Sequence, residues 1–321
     1  MNFRYTLYNG GDVFYNIEWI ILIRRTCLIT NQDTVGYFGG LIMENLGYYN
    51  GKFGPLEEMQ VPMLDRACYF GDGVFDITYS RNNIIFALDD HMDRFFNSAA
   101  VLKIKIPHTK DEMKALLYEM LSKVDYGNAL LFWQVSRGTA LRNYGFSGNE
   151  VGNIWITIRP GEVRDIYSTV KLITTEDTRF FHCNLKTLNL IPSVMATQKA
   201  EAMGCDEAVL HRNGRVTECA HSNVHIIKDG ILRTAPTDNL ILPGIARKHL
   251  IAKCGELGIP VDETPFTLDD LMTADEVIIS SCSSMCRSAT EVDGKPVGGK
   301  APELLRSLQD ALLGEYLDAT N

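Results

Sequence analysis

Three segments of this chain hold residue types suited to chemistry. Lys186 sits in Asn184-Leu185-Lys186-Thr187-Leu188-Asn189, where it is the sole charge. An amine in uncharged surroundings sheds its proton more readily than an exposed one. The neutral amine is the form that adds to a carbonyl to make a Schiff base. The plainer reading is a surface Lys whose stem packs on apolar neighbours. Glu218, in Val216-Thr217-Glu218, follows a hairpin signal and precedes Asn223; taken alone, it is a solvated acid. Leu240-Ile241-Leu242-Pro243-Gly244-Ile245-Ala246-Arg247 enters a helix through Gly. A helix start offers free backbone N–H groups and the positive end of the dipole to an anion, although an ordinary turn would read the same way.

Two other patterns point away from chemistry. Phe70-Gly71-Asp72-Gly73-Val74-Phe75 lacks the third Gly and the following helix of a dinucleotide fingerprint, so it reads as a turn. His221 and His225 lie on a stretch that reads as strand, where a spacing of four does not aim both at one ion. No metal is expected.

The elements that must position these residues are legible in part. Helices are predicted over 90–103 and from the capping box Thr109/Glu112 through Leu121. Gly47-Tyr48-Tyr49-Asn50-Gly51 reads as strand and turn, and strands are predicted over 130–136 and 154–158. Arg159-Pro160-Gly161-Glu162 breaks the chain. It is taken as the boundary between a smaller α+β domain (43–160) and a larger one (161–321). Beyond it come a strand at 170–174 and a helix from Pro192 that stops at Gly204. Two hairpins follow, turning at Asn213-Gly214 and Asp229-Gly230. Then come a helix from Gly244 toward Gly258, a strand at 276–281 and a final helix marked by Leu304, Leu305, Leu308 and Leu312. Strands and helices mix without regular βαβ alternation, which argues an α+β fold in each half.

Composition narrows the function classes. The 321 residues are 22% charged and 45% hydrophobic, with a net charge of −9. That excludes a disordered chain or a disulfide mini-scaffold, and without a basic block no nucleic-acid partner is expected. The longest early apolar run, Trp19 to Ile23, falls far short of the ~20 residues a spanning helix needs, so no membrane partner is expected. Eight Cys without a CxxC pair or a secretory pattern read as free thiols in a reducing compartment, the cytoplasm. Residues 1–42 contain no Ala, Lys, Pro, Ser or His. The expectation is that the natural start is Met43 and that 1–42 lie outside the functional unit.

Several blocks, taken in order, resemble one family. They are Tyr69-Phe70-Gly71-Asp72-Gly73-Val74-Phe75, His91-Met92-Asp93-Arg94, Arg137-Gly138-Thr139-Ala140-Leu141-Arg142-Asn143, the Lys186 segment through Leu190, Val216-Thr217-Glu218 with Ser222-Asn223-Val224, and Leu242 through Arg247. From about Gly47 onward the chain resembles the class IV aminotransferases, the fold-type IV enzymes that use pyridoxal 5'-phosphate. It resembles the D-amino acid (D-alanine) transaminases above their cousins, the branched-chain aminotransferases and aminodeoxychorismate lyase. The resemblance implies a two-domain α+β fold with the active site between domains, and a homodimer whose sites draw loops from both chains. It implies that Lys186 holds the cofactor as a Schiff base and then moves a proton as general acid and base. Glu218 would keep the pyridine nitrogen protonated, Arg94 and the N–H groups of Ile245 and Ala246 would hold the phosphate, and Leu242 would pack on the ring.

Two cofactor positions depart from the family pattern. Ala246 and Cys282 stand where Thr is usual, and Ser281 or Ser283 could replace the lost hydroxyls. On the substrate side, Phe75, Arg142 and Tyr144 occupy positions where D-amino acid transaminases have Tyr, Arg and His. Ile77, Tyr79, Phe132 and Ser283 would complete the pocket. The expected activity is ping-pong transfer of an amino group between an amino acid, D-configured by preference, and a 2-oxo acid. The alternatives are a branched-chain L-selective or (R)-amine transaminase, an elimination of the lyase type, and a non-catalytic protein that kept the fold.

Overall fold

The structure, a computed structural model, describes residues 44–146, 148 and 150–321. The expectations for 1–42 and for a start at Met43 lie outside the described residues.

The first sheet forms from residues 46–160. Strands β1 (Leu46–Tyr49) and β2 (Lys52–Pro55) close on Asn50-Gly51, both with positive φ, as the turn signal predicts. A short helix, α1 (Arg66–Phe70), leads into β3 (Gly73–Arg81) and β4 (Ile84–Ile85). Two helices follow, α2 (Leu88–Val101) and α3 (Lys110–Leu121); the latter opens on the predicted box, with Thr109 and Glu112 each bonding the other's backbone. Strands β5 (Ala129–Ser136) and β6 (Asn153–Pro160) complete an antiparallel sheet in the order β2-β1-β6-β5-β3-β4. The apolar faces of α2 and α3 (Met92, Phe95, Met113, Leu117) join Leu131, Trp133 and Ile156 of the sheet in one buried cluster.

The second sheet is larger and mixed. In chain order come β7 (Val170–Glu176), α4 (Ile191–Ala202), β8 (Glu207–Arg212), β9 (Arg215–Cys219), β10 (Asn223–Lys228), β11 (Ile231–Thr234), α5 (Ile245–Glu256), β12 (Val261–Asp262), α6 (Leu268–Thr273), β13 (Glu276–Ser280), β14 (Arg287–Val292), β15 (Lys295–Pro296) and α7 (Pro302–Ala319). The strand order is β12-β11-β10-β13-β14-β7-β8-β9, with β15 beside β14. Both predicted hairpins turn on positive-φ pairs, Asn213-Gly214 and Asp229-Gly230. Helices α5 and α7 bury Leu250, Leu308 and Leu312 against Ile227, Leu232 and Ile278. Among the described residues no helix is long and apolar enough to cross a membrane.

Of the segment read as a turn at 70–75, only Gly71 and Asp72 lie between elements; Phe70 closes α1 and Gly73 already belongs to β3. Residues 73–76 are buried on both faces, so no polar–apolar alternation marks this strand. Gly73 is required by close approach. A Cβ there would lie 2.6 Å from the Val135 carbonyl oxygen and 2.7 Å from Leu188 Cδ1. The space it leaves admits the Lys186 segment, which pairs with the start of β3. The Phe75 N–H donates to the Lys186 carbonyl (2.9 Å) and the Leu188 N–H to the Gly73 carbonyl (3.1 Å).

One residue on, Asp76 locks β3 to α2. Its fully buried carboxylate accepts from Arg94 Nε (2.9 Å) and Nη2 (2.7 Å) and pairs with His91 Nδ1 (2.8 Å). Burial alone would raise the Asp76 carboxyl, but the Arg94 charge and these hydrogen bonds outweigh it and hold it well below the usual carboxylate range. Burial keeps His91 below the ordinary imidazole range, so the neutral ring donates its Nδ1–H. A depressed carboxylate stabilises the fold above its unfolded value near pH 4 and loses that contribution as pH falls below it. Asp76→Asn leaves Arg94 buried without its counter-charge. It is expected to lower stability by about 3–5 kcal/mol in urea unfolding and to remove part of the acid sensitivity below pH 4.

Candidate active site

A cleft of about 600 Å³ opens between β3 and α2 on one side and the Lys186 segment, the ends of β9 and β13 and the start of α5 on the other. Its size suits a cofactor with a small substrate. The cleft brings together Phe75, Ile77, Tyr79, Arg94, Lys186, Glu218, Leu242, Ile245, Ala246, Cys282 and Ser283 from the sequence-predicted set. Phe132 stands behind the wall, its ring stacked on Phe75 at 5.3 Å between centroids. Arg142 and Tyr144 are not brought into it. Both lie on the exposed loop after β5, the Arg142 guanidinium 5.3 Å from the Phe70 ring and 5.4 Å from the Tyr144 ring.

Lys186 reaches the cleft with its Nζ 4.4 Å from the Phe75 ring centre. Burial, and then the charge of Arg94, push its amine below the ordinary Lys range. Among the described residues no acid is bonded to this amine to restore the charged form, so the side chain is set up as a nucleophile and proton carrier.

Glu218, at the end of β9, is held from three sides. Arg179 donates to Oε1 through a short contact, and Asn223 Nδ2 (2.9 Å) and the Leu242 N–H (3.1 Å) donate to Oε2. Arg179 is fixed in turn by a two-pronged pair with Asp177, at 2.9 and 3.0 Å. Burial lifts the Glu218 carboxyl to about 7 against the pull of Arg179 and these donors. An added cation beside it would pull it down into the ionised form.

The start of α5 offers free donors that can receive an anion. Gly244 is its N-cap and supplies no side-chain cap, so the first N–H groups, those of Ile245 and Ala246, remain to be met by another partner. A Cβ on Gly244 would fall 2.0 Å from Asn223 Oδ1, so only Gly lets the helix start this close to β10. Arg94 commits Nε and Nη2 to Asp76, while Nη1 reaches the Pro243 carbonyl at 3.3 Å. Burial pushes the Cys282 thiol up, so this residue lines the cleft as a neutral thiol.

Sequence reasoning missed Asp76, His91 as a ring donor, Arg179 with Asp177, and the role of Asn223. Asp177 and Arg179 sit two apart, a readable acid–base pair, but nothing in the sequence says that Glu218, thirty-nine residues on, is their target. The donor set fits pyridoxal 5'-phosphate: an amine of lowered basicity for the aldehyde, a buried carboxylate for the ring nitrogen, and a helix start with a guanidinium for the phosphate.

The family model for class IV amino-transferases matches residues 73–292. A D-alanine aminotransferase of Listeria monocytogenes is 38% identical over 269 residues, 82% of this chain and 93% of that protein. A D-alanine aminotransferase of Bacillus licheniformis is 35% identical over 276 residues, 85% of this chain and 97% of that protein. Among solved structures, a T.th. branched-chain amino acid aminotransferase complexed with N-(5'-phosphopyridoxyl)-L-glutamate superposes with a TM-score of 0.77. It is 26% identical, covering 86% of this chain and 95% of its own. The chain belongs to the class IV aminotransferases.

Proposed function

We propose that this protein is a pyridoxal 5'-phosphate-dependent transaminase that moves an amino group between an amino acid, D-configured by preference, and a 2-oxo acid. The observation that carries the reading is the convergence of Lys186, Glu218 and the uncapped start of α5 on one cleft. The identity to D-alanine aminotransferases supports the D preference.

The residues divide the work by their chemistry. Lys186, with an amine already inclined to lose its proton, would hold the cofactor by its aldehyde and, when free, would carry a proton to and from the substrate as general base and acid. Glu218 would keep a proton at the ring nitrogen by its charge. Arg94 and the N–H groups of Ile245 and Ala246 would hold the phosphate, and Leu242 would pack on the ring. When bound, the cofactor supplies a conjugated system that accepts the electron pair left as the α-proton departs. Phe75, Ile77 and Tyr79 form a largely apolar wall for the substrate side chain.

Arg142 and Tyr144 are solvent-facing in the single chain. We place them in the cleft of a second copy, where the guanidinium recognises the α-carboxylate; the working form is then a homodimer. We assign the halves 43–160 and 161–321 as its two domains, and the cytoplasm as its compartment.

The deciding experiment is a panel of D- and L-amino acids assayed with pyruvate or 2-oxoglutarate as acceptor. Transfer from D-alanine or another D-amino acid is expected. Turnover confined to branched-chain L-amino acids would overturn the D preference, and pyruvate release from aminodeoxychorismate without an acceptor would overturn transamination.

Two variants probe individual roles. Borohydride reduction of the loaded enzyme at neutral pH is expected to label Lys186 alone, and Lys186→Ala to abolish both the label and turnover; a label on another Lys removes the assignment. Arg142→Ala is expected to lower kcat/KM toward amino acids roughly ten- to a hundredfold, the effect of losing a hydrogen bond to a charged group, with cofactor absorbance unchanged. Equal losses for amino acids and for amines without a carboxylate would make Arg142 a structural anchor instead.

A further inference from the structure

Three adjacent strands carry a fully buried polar line that leads to the floor of the cleft. Thr234 on β11, His225 on β10 and Ser280 at the end of β13 are each essentially inaccessible to solvent. His225 Nδ1 lies 2.9 Å from Thr234 Oγ1, and Nε2 lies 2.8 Å from Ser280 Oγ. The line is continued by Arg247 of α5, whose Nε donates to Thr234 Oγ1 at 3.2 Å and whose Nη2 reaches the Ala235 carbonyl and Glu263. Ser280 lines the same cleft as Arg94, Ile245, Ala246 and Cys282.

Either tautomer of His225 leaves one hydroxyl hydrogen without an acceptor in the protein, and the cleft decides which, because Ser280 lines it and Thr234 does not. A guanidinium only donates, so Thr234 Oγ1 must accept from Arg247. The Thr234 hydroxyl then has one hydrogen to place, and His225 Nδ1 is its remaining partner among the described residues. A buried hydroxyl left without an acceptor is costly, so Nδ1 accepts. Burial, reinforced by the Arg247 charge, pushes His225 down to about 3, which keeps the ring neutral. A neutral ring that accepts at Nδ1 carries its proton on Nε2. That proton is donated to Ser280 Oγ, and the Ser280 hydrogen has no other acceptor among the described residues.

We infer that His225 is a positioning residue that turns the Ser280 hydroxyl into a hydrogen-bond donor aimed into the cleft, where it serves the phosphate of the cofactor. This rests on the transaminase reading and deepens it. Of the neighbours of Ser280 in the cleft, Ala246 has no side-chain donor and the thiol at Cys282 is a weak one. The pre-aimed hydroxyl of Ser280 supplies a stronger donor from the strand just before Cys282. Because His225 is saturated by its two partners, Ser280 cannot spend its proton on the protein.

The test uses the full chain freed of cofactor and titrated separately with pyridoxal 5'-phosphate and with pyridoxal, which lacks the phosphate. Ser280→Ala is expected to weaken pyridoxal 5'-phosphate by roughly tenfold or more, the usual effect of losing a bond to a charged group, and to leave pyridoxal unchanged. Ser280→Thr, which keeps a hydroxyl, stays near the original affinity. His225→Phe gives the same selective loss, and the double variant is no weaker than Ser280→Ala alone. Nitrogen-15 NMR of the original chain shows the His225 proton on Nε2. Equal affinity of Ser280→Ala for pyridoxal 5'-phosphate, an equal loss for both ligands, or a proton on Nδ1 would overturn the inference. An original chain that binds neither ligand sinks the transaminase reading as well, and this is seen before any variant is compared.

Discussion

The cleft depends on a few backbone hydrogen bonds that join the segment around Lys186 to the first residues of β3. That pairing carries the amine from the sequence of the second sheet to the edge of the first. It is possible only because Gly73 has no side chain, since a Cβ would meet both the Val135 carbonyl and Leu188. Backbone pairing fixes register, and register sets the face on which each side chain emerges. Phe75 lies under the Lys186 amine, and Asp76, one residue on, is turned toward α2.

Buried charges are arranged so that most are answered. Asp76 is answered by Arg94, and Asp177 and Glu218 by Arg179. Such pairs add little net stability against desolvation, but breaking one strands its partner. Their use here is geometric. Arg94 is steered by Asp76 so that its remaining nitrogen meets the Pro243 carbonyl at the start of α5, and Glu218 is aimed by donors from β10 and from the loop before α5. Lys186 has Arg94 nearby and no bonded acid among the described residues; burial first, and then the Arg94 charge, lower its basicity.

Helix α5 shows how one close approach serves several purposes. Gly244 brings the uncapped N–H groups to the cleft, Asn223 packs against it while bonding Glu218, and Arg247 reaches inward from the same turn to Thr234. The Glu218 carboxylate and the free N–H groups of the helix start therefore share one support, and a shift of the helix would disturb both.

Much of this was legible in the sequence, and the limits have physical causes. Turns such as Asn213-Gly214 demand positive φ, and the capping box at Thr109 satisfies its own backbone, so local chemistry announced those elements. The ordered motif blocks singled out Lys186, Glu218, Arg94 and the α5 start, which the structure brings to one cleft, because each is tied to residues next to it in sequence. Strand β3 was hidden because its first residues are buried on both faces and carry no alternation. Asp76 beneath Arg94, Arg179 beside Glu218, and the Thr234–His225–Ser280 line join residues eighteen to fifty-five positions apart or on separate strands. The sequence determined which groups could do chemistry and which turns and helices would form around them. Which acid answers which base, which amine is left unanswered and which hydroxyl is turned into the cleft were decided by tertiary structure alone, because burial and partner distance set the cost of a charge and neither exists before the sheets pack.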